Sequence, residues 1–372
     1  MKILNINSYY YSSSVHFQLQ NSLKYTSVDS TTYVPVSKNY IPRDDQKIIQ
    51  EKNLKVSKCY NSNDRYIFYV KHKKILDDII PRFNFEEFDY VHAHSLFSNG
   101  FIALGLKKKY GLPYIVAVRD ADVNTFFKYV LYLRQKGIEI LKEADKIIFL
   151  SEPYKNYVIN KYIPKEFREF IFSKSKVIPN GIDDFWHLNK NSPKVISKQK
   201  NVKLLYVGAI NKRKNLLRAI KAIDILESKG YNIEFNVVGK IEDKSIYHQL
   251  TQRNYFHYIA PLPKEKLIEV FRANDIFIMP SKTETFGLVY AEAMSQGLPV
   301  IYTKGQGFDE HFDNGLVGYH VNCYDIYDIS GKISKILNEY NLMSLNSVEL
   351  VKKFKWKKIA EEYVGIYNKN SV

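Results

Sequence analysis

The chain has 372 residues, a formal net charge of +16 and a hydrophobic content of 45%. This length exceeds what one ordinary core supports and predicts two domains of about 180 residues each. Two cysteines, Cys59 and Cys323, exclude a disulfide framework and a zinc spacing, and they are typical of a reducing compartment. No apolar run approaches the length of about 18 residues that a membrane span needs, and the first residues lack the pattern of a signal peptide. We therefore expect a cytoplasmic protein.

The net charge indicates an anionic partner. Nucleic acid, an anionic membrane surface and a polyanionic ligand all fit its sign. The 30 tyrosines are scattered along the chain and form no RNA-binding motif. We therefore expect no nucleic acid partner.

The first half of the chain alternates predicted strands with helical segments. Residues 37–88 give no clear pattern, and the loop after the first strand has no glycine. The apolar runs predict strands at residues 2–7, 31–36, 89–94, 114–119 and 146–151, and a helix at residues 97–109.

Four polar side chains follow two of these strands. His94 ends one strand, and Arg119, Asp120 and Asp122 follow the next. Functional residues gather at the carboxyl ends of parallel strands, so these four are candidates for a ligand site. A buried core position is an equal alternative for His94. A metal held by Asp120 and Asp122 is a weaker alternative, and we expect no metal site.

The alternation starts again after a polar stretch at residues 188–201, where we place the domain boundary. Gly208 ends the first strand of this half and opens a basic turn. Arg213 and Lys214 in that turn suit the charge of a diphosphate, although a solvated basic turn is the alternative. The pattern predicts strands at residues 202–207 and 233–239, a helix at residues 216–229, and a further segment at residues 257–261.

The most informative stretch is residues 275–300. Its apolar opening predicts a strand buried on both faces, and a helix follows after a polar loop. Glu284 lies in the loop and Glu292 two turns into the helix, roughly 9 Å further along. The two acids can therefore serve two ends of one elongated ligand. The free N–H groups at the helix start predict a diphosphate site between them, at Phe286, Gly287 and Leu288.

This stretch, PSKTETFGLVYAEAMSQGLPV, resembles the signature of the family-4 retaining glycosyltransferases of GT-B fold, in which two glutamates are separated by seven residues. Weaker matches run through most of the chain. The resemblance implies an α/β protein with two doubly wound, Rossmann-like domains that face a central cleft. It implies an acceptor-binding domain at residues 1–190, a nucleotide-sugar-binding domain at residues 200–353, and a C-terminal helix at residues 354–372 that packs back toward the first domain.

The resemblance also implies roles in the second half. Glu284 would face the transferred sugar, Glu292 would hold ribose hydroxyls, and Lys214 would stabilise the leaving diphosphate. Relatives carry an arginine where this chain has Ala209, and Arg213 could supply the missing charge. The donor-binding residues that the resemblance implies are Glu292, Thr285, Phe286, Gly287, Leu288, Gly208, Gly239 and Ile259.

In the first half the chain departs from the family pattern. Many relatives have a histidine that faces the transferred sugar, and Arg119 occupies that position here. Arginine cannot act as a base. The role would pass to Asp120, Asp122 or His94, or to no side chain. Asp120 is therefore a candidate catalytic residue. His94, Arg119 and Asp122 are candidates for the acceptor side of the site.

The implied activity is transfer of a sugar from a nucleotide-diphosphate sugar to an acceptor hydroxyl, with retention of configuration and with neither metal nor cofactor. The acceptor would be a carbohydrate or a lipid-linked molecule, because relatives often build bacterial surface polysaccharides on lipid carriers. A nucleotide-sugar epimerase of the same fold is the alternative, since Asp120, Asp122 and His94 could surround a sugar. A basic module that binds nucleic acid is a weaker one.

Lysines cluster with aromatic residues in the first half, at residues 69–74, 107–110 and 126–142. The last of these has Phe127, Leu131 and Ile138 near helical spacing with interleaved basic residues. A basic amphipathic helix predicts peripheral contact with the inner face of an anionic membrane. A core-facing helix with a solvated basic back is the alternative.

Overall fold

A computed structural model describes residues 1–41, 53–196 and 201–368. These form two compact units. The first comprises Met1–Leu150, Lys155–Gly181 and the C-terminal segment from Trp356, and the second comprises Ser151–Tyr154 and Ile182–Lys355. Residues 182–190, which the sequence-based boundary assigns to the first domain, therefore lie in the second unit.

The first unit is built on a parallel sheet of seven strands. The strands are β1 (Lys2–Ile6), β2 (Asp29–Ser37), β3 (Leu54–Tyr60), β4 (Tyr90–Ala93), β5 (Tyr114–Ala117), β6 (Lys146–Phe149) and β7 (Ser175–Val177). Their order across the sheet is β3-β2-β1-β4-β5-β6-β7. The order reverses between β1 and β4, which makes their carboxyl ends the switch point of this sheet. The helices of this part of the chain are α1 (Ser14–Lys24), α2 (Phe68–Ile79), α3 (Ser98–Tyr110), α4 (Arg134–Glu143), α5 (Glu152–Tyr162) and α6 (Lys165–Ser173).

The helix predicted at residues 126–142 is not continuous, and this prediction is wrong. A π-helical turn at Asp122–Phe127 and a 3-10 turn at Leu131–Leu133 precede α4. Phe127 and Ile138 are buried in the core, whereas Leu131 is exposed. The apolar face of α4 thus belongs to the core, as the alternative interpretation proposed.

The second unit repeats the design with six parallel strands. They are β8 (Asn201–Val207), β9 (Asn232–Val238), β10 (Phe256–Ile259), β11 (Ile276–Ile278), β12 (Val300–Thr303) and β13 (Gly318–Val321). Their order is β10-β9-β8-β11-β12-β13, so the switch point lies between β8 and β11. The helices are α7 (Asp184–Leu188), α8 (Leu216–Ser228), α9 (Lys244–Leu250), α10 (Lys264–Arg272), α11 (Leu288–Ser295) and α12 (Ile326–Leu350).

The last helix, α13 (Trp356–Asn368), belongs to the first unit. Its buried aromatic side chains join a core cluster that includes Ile3 of β1 and Ile115 of β5. Trp356 fills the space beside Gly181, where an added Cβ would lie 2.5 Å from the indole ring. The final helix of the chain therefore completes the core that the first strand begins.

Candidate active site

An ion pair lies at the switch point of the second sheet. Lys214 follows β8, Glu284 follows β11, and Lys214 Nζ lies 2.5 Å from Glu284 Oε2. Their side chains are only 10% and 13% exposed. Arg213 lies further out, with Nη1 3.8 Å from Glu284 Oε2, and donates a hydrogen bond to the carbonyl oxygen of Thr283. The strand order brings the predicted basic turn to the predicted acid.

The start of α11 lies beside this pair. Gly287 caps the helix with a φ of 76°, a left-handed conformation that suits glycine. A Cβ added at Gly287 would come within 3.1 Å of Glu284 Cγ, so the acid packs against the turn. Among the residues that the structure describes, none accepts a hydrogen bond from the N–H of Phe286, Gly287 or Leu288. The Phe286 side chain is buried against His311 and Phe354, so Phe286 offers this site only its backbone.

Backbone contacts fix the loop that carries Glu284. Gln306 Oε1 accepts a hydrogen bond from the Glu284 N–H, and the Gly307 N–H donates to the Glu284 carbonyl oxygen. An added Cβ at Gly307 would lie 1.9 Å from the carbonyl oxygen of Thr285. Asn215, at the start of α8, donates to the carbonyl oxygens of Pro280 and Cys323. The loops after β8, β11 and β12 are thus held in register.

The remaining predicted donor residues lie along the same edge of the sheet. Gly208 follows β8 and Gly239 follows β9, and an added Cβ at Gly239 would lie 1.9 Å from the Gly208 carbonyl oxygen. Ile259 ends β10, and its carbonyl oxygen accepts a hydrogen bond from the Gly239 N–H. The carboxyl ends of three neighbouring strands therefore form one continuous rim.

Glu292 lies further along α11, in a different electrostatic environment. Burial, as the largest cause, and the nearby Asp183 carboxylate together raise the pKa of its carboxyl to about 7. Lys264 and a hydrogen bond from Trp186 act in the opposite direction. Lys264 itself pairs with Asp183 at 2.8 Å. Glu292 is thus an acceptor whose charge changes near neutral pH.

Comparison with known proteins adds an independent observation. The sequence-family model described as Glycosyl transferases group 1 matches residues 189–349. The family model described as Glycosyltransferase Family 4 matches residues 40–184. The capsular polysaccharide biosynthesis glycosyltransferase CapM of Staphylococcus aureus is 31% identical over 276 residues, which are 68% of this chain and 70% of that protein. The chain belongs to glycosyltransferase family 4.

Solved structures agree with the GT-B fold of this glycosyltransferase. Sucrose-phosphate synthase from Thermosynechococcus elongatus has a TM-score of 0.75 at 16% identity, covering 99% of this chain and 98% of that one. Anabaena HepE in complex with UDP and glucose has a TM-score of 0.69 at 16% identity, with complete coverage of both chains. The lipopolysaccharide outer core galactosyltransferase WaaB has a TM-score of 0.73 at 15% identity, covering 99% and 100%. The predicted fold is confirmed.

The first unit of the glycosyltransferase holds the other candidates. Asp122 is buried, and its carboxylate accepts three backbone N–H hydrogen bonds, from Leu96, Phe97 and Arg119. Burial raises its pKa to about 6, against the effect of these donors. Asp122 therefore fixes the loop after β5 against the residues that immediately precede α3. Asp120 accepts a hydrogen bond from the Asn124 side chain.

Arg119 and His94 lie at the switch point of the first sheet. The Arg119 guanidinium donates to the His94 carbonyl oxygen, to Asn180 Oδ1 at 3.1 Å and to the Tyr363 hydroxyl. His94 is fully buried, and its Nε2 lies 3.1 Å from Asn5 Oδ1. Burial holds the pKa of His94 well below its usual range, so its ring is neutral.

Several buried polar atoms around these residues have no partner among the residues described. They include the side-chain Nδ2 atoms of Asn5, Asn7 and Asn99 and one ring nitrogen each of His16 and His94. Buried polar atoms are normally hydrogen-bonded, so this region suits ordered water or a polar ligand.

The structure brings together Lys214, Arg213 and Glu284. It also shows contributors that are not among the predicted site residues. Gln306 had a signal, because two glycines flank it in a turn. Only the folded chain brings Asp183 and Lys264 near Glu292.

In the part of the chain that the structure describes, no helix is both long and apolar enough to cross a membrane. Nor does this part contain a group of three or more metal-ligating side chains of the kind that holds a metal ion.

Proposed function

We propose that this glycosyltransferase moves a hexosyl group from a nucleotide-diphosphate sugar to an acceptor hydroxyl, retains the anomeric configuration and needs no metal. The observation that carries the proposal is the Lys214–Glu284 pair beside the open N-terminus of α11. Cations and oriented N–H groups at one sheet edge suit the two negative charges of a diphosphate leaving group.

In the proposed reaction, the acceptor oxygen attacks the anomeric carbon from the face that the phosphate leaves. The bond from that carbon to the phosphate oxygen breaks, and a phosphate oxygen takes the acceptor proton. Lys214, Arg213 and the N–H groups of α11 stabilise the departing charge. Glu284 holds Lys214 in place and accepts a hydrogen bond from a hydroxyl of the sugar. Glu292 accepts hydrogen bonds from the ribose hydroxyls of the donor.

We place the reaction in the synthesis of a bacterial surface polysaccharide or glycolipid, with a carbohydrate or lipid-linked acceptor. CapM acts in capsular polysaccharide biosynthesis, and WaaB is a lipopolysaccharide outer core galactosyltransferase. The protein would work in the cytoplasm at the inner face of the membrane. The unpartnered polar atoms near Asn5 and Asn99 support a polar acceptor in the first unit.

The test is a screen of nucleotide sugars with the purified protein. Donor binding is followed by thermal shift, and transfer to a panel of saccharide and lipid-linked acceptors is followed by mass spectrometry. NMR of the new glycosidic bond should show the anomeric configuration of the donor sugar. An inverted product would refute retention, and loss of transfer in EDTA that divalent cations restore would refute metal independence.

Incubation with the donor alone is the control for the alternative activity. A transferase should release at most some free sugar and nucleotide by slow hydrolysis. A second nucleotide sugar formed without any acceptor would instead identify an epimerase.

A further inference from the structure

A set of large apolar side chains on the first unit is exposed to solvent. Tyr129, Leu131 and Tyr132 are 68%, 61% and 63% exposed, and they lie on the break between the π-helical turn and α4. Tyr66 and Ile67, just before α2, are 72% and 59% exposed, and Tyr69 follows them within α2. We call these six residues the aromatic surface: Tyr66, Ile67, Tyr69, Tyr129, Leu131 and Tyr132.

The two parts of the aromatic surface touch each other. The ring centroids of Tyr69 and Tyr132 lie 6.5 Å apart, which joins α2 to the 3-10 turn before α4. On the other side, the Arg134 guanidinium lies over the Tyr162 ring at 5.3 Å, so α5 borders the same region. The exposed side chains thus form one patch, and such patches mark interaction sites.

The three chain segments that carry this patch contain basic residues but no acidic ones. Residues 65–76, 123–138 and 153–165 contain no aspartate or glutamate. Two of their lysines are neutralised by acids from outside these segments, Lys74 by Asp64 and Lys136 by Glu139. Other cations of these segments are exposed to solvent, namely Arg65, Lys73, Lys128, Lys161 and Lys165.

Tyrosine and leucine beside exposed lysines match the chemistry of a bilayer interface. Tyrosine places its ring at the level of the headgroups and its hydroxyl in water, and lysines attract anionic phosphates. This surface differs from the amphipathic helix expected from the sequence, because the apolar face of α4 is buried in the core.

We propose that the aromatic surface docks the protein on an anionic lipid bilayer. Tyr129, Leu131 and Tyr132 enter the boundary between headgroups and acyl chains, and Lys73, Lys128 and Lys161 face lipid phosphates. The inference extends the proposed function by naming the surface that contacts the membrane. It rests on the proposed function only for which membrane this is, namely the inner face that borders the cytoplasm.

The first experiment measures co-sedimentation of the full-length protein with vesicles. One set is phosphatidylcholine alone, and the other contains about one third phosphatidylglycerol, each at about 0.05 M and about 0.5 M salt. We expect binding to the anionic vesicles at low salt and its loss at high salt. Equal recovery in the supernatant under every condition would overturn the proposal.

Two variants separate the aromatic from the electrostatic contribution. The triple substitution Tyr129→Ser, Leu131→Ser and Tyr132→Ser should weaken binding by at least about tenfold. Replacing Lys73, Lys128 and Lys161 by glutamine should weaken it on the order of 100-fold. The matched controls are Tyr324→Ser with Tyr327→Ser, and Lys357→Gln with Lys358→Gln, which change exposed residues elsewhere and should bind like the unmodified protein. Equal losses in the controls would overturn the assignment to this surface.

A fluorescent reporter tests insertion directly. Both native tryptophans, Trp186 and Trp356, are buried, so a Tyr132→Trp variant adds an exposed reporter. Its emission should shift to the blue on addition of anionic vesicles, while Tyr327→Trp should not respond. A Tyr132→Trp protein that sediments with vesicles without this shift would refute insertion.

These measurements need neither donor nor acceptor. Loss of transferase activity in the screen would therefore leave the docking result intact. Failure to bind vesicles would in turn leave the transferase proposal intact. Thermal unfolding of each variant checks that the fold is retained.

Discussion

The Lys214–Glu284 pair links the stability of the second unit to its chemistry. Breaking a buried ion pair leaves one charge uncompensated. Lys214→Met should lower the free energy of unfolding by roughly 3 kcal/mol, and kcat by about two to three orders of magnitude through the lost leaving-group charge. Urea denaturation and steady-state kinetics measure the two effects.

The double variant Lys214→Met with Glu284→Gln separates these effects. It removes both charges, so it should recover most of the stability while remaining inactive. Arg213→Gln is the matched control, because its half-exposed guanidinium lies 3.8 Å from the same carboxylate. Its cost in stability should stay below about 1 kcal/mol. Recovered activity in the double variant would contradict the role of Lys214.

Glu292 predicts a pH dependence of stability with a definite sign. Its pKa is about 7 in the folded chain, against an ordinary value of 4.5. Between these values the folded chain binds more protons than the unfolded one, so this residue makes stability fall as pH rises. Glu292→Gln should therefore gain stability over the unmodified protein from about pH 5 to about pH 7 and level off above. Urea denaturation across this range measures the difference.

The same carboxylate should govern donor affinity. Ribose hydroxyls donate to the charged form, so affinity for the donor should increase as pH rises through about 7. In Glu292→Gln this dependence should disappear. Parallel pH profiles of donor binding in the two proteins would contradict the ribose role.

At the scale of elements, apolar runs predicted the central strands because parallel strands are buried on both faces. The sequence pattern did not predict β3 and α2, which lie within residues 53–88. β3 is an edge strand in which only Ser57 is buried, so its sequence has no apolar run. The buried face of α2 includes His72 between Phe68 and Ile75. This polar residue interrupts the apolar spacing from which a helix would be predicted.

The turn after β12 should be sensitive to a single methyl group. A Cβ at Gly307 would meet the Thr285 carbonyl oxygen, which forces the loop of Glu284 to move. Gly307→Ala should weaken donor binding by at least about tenfold, since catalytic groups must be held within a fraction of an ångström. Isothermal titration with the donor nucleotide measures this change.

Gly331→Ala is the control for that substitution. Gly331 lies in α12 with nothing within 4 Å of an added Cβ. Alanine there should leave donor binding unchanged and raise stability slightly, because it favours helix. Equal donor affinity in Gly307→Ala and the unmodified protein would refute the steric argument.

At the scale of the whole molecule, length predicted two units, but residue patterns could not give their limits. The segment at 182–190 has no composition that distinguishes it, and its place is set by contacts. The backbone N–H of Ile182 donates to the Phe354 carbonyl oxygen. Likewise, nothing local in α13 identifies its partners in β1 and β5.

Trp356→Ala should destabilise the first unit selectively. The buried indole packs beside Gly181, and its Nε1–H donates to Gln18 Oε1 at 2.7 Å. The loss should cost about 3–5 kcal/mol. Hydrogen exchange should show faster opening of β1 and α1, with unchanged protection in β8 and β11. Lys357→Ala, an exposed neighbour on α13, is the control. Uniform loss of protection in both units would contradict this selectivity.

The assignment of α13 to the first unit has a consequence for the order of events on the ribosome. The core cluster around Ile3 and Leu19 stays open until Trp356 and Tyr363 have been synthesised. The second unit, which ends at Lys355, is complete before that. Domains usually mature from the N-terminus onward during translation. Here the core of the first unit remains incomplete until α13 has been synthesised. Until then, the apolar face that α13 covers would be accessible to chaperones.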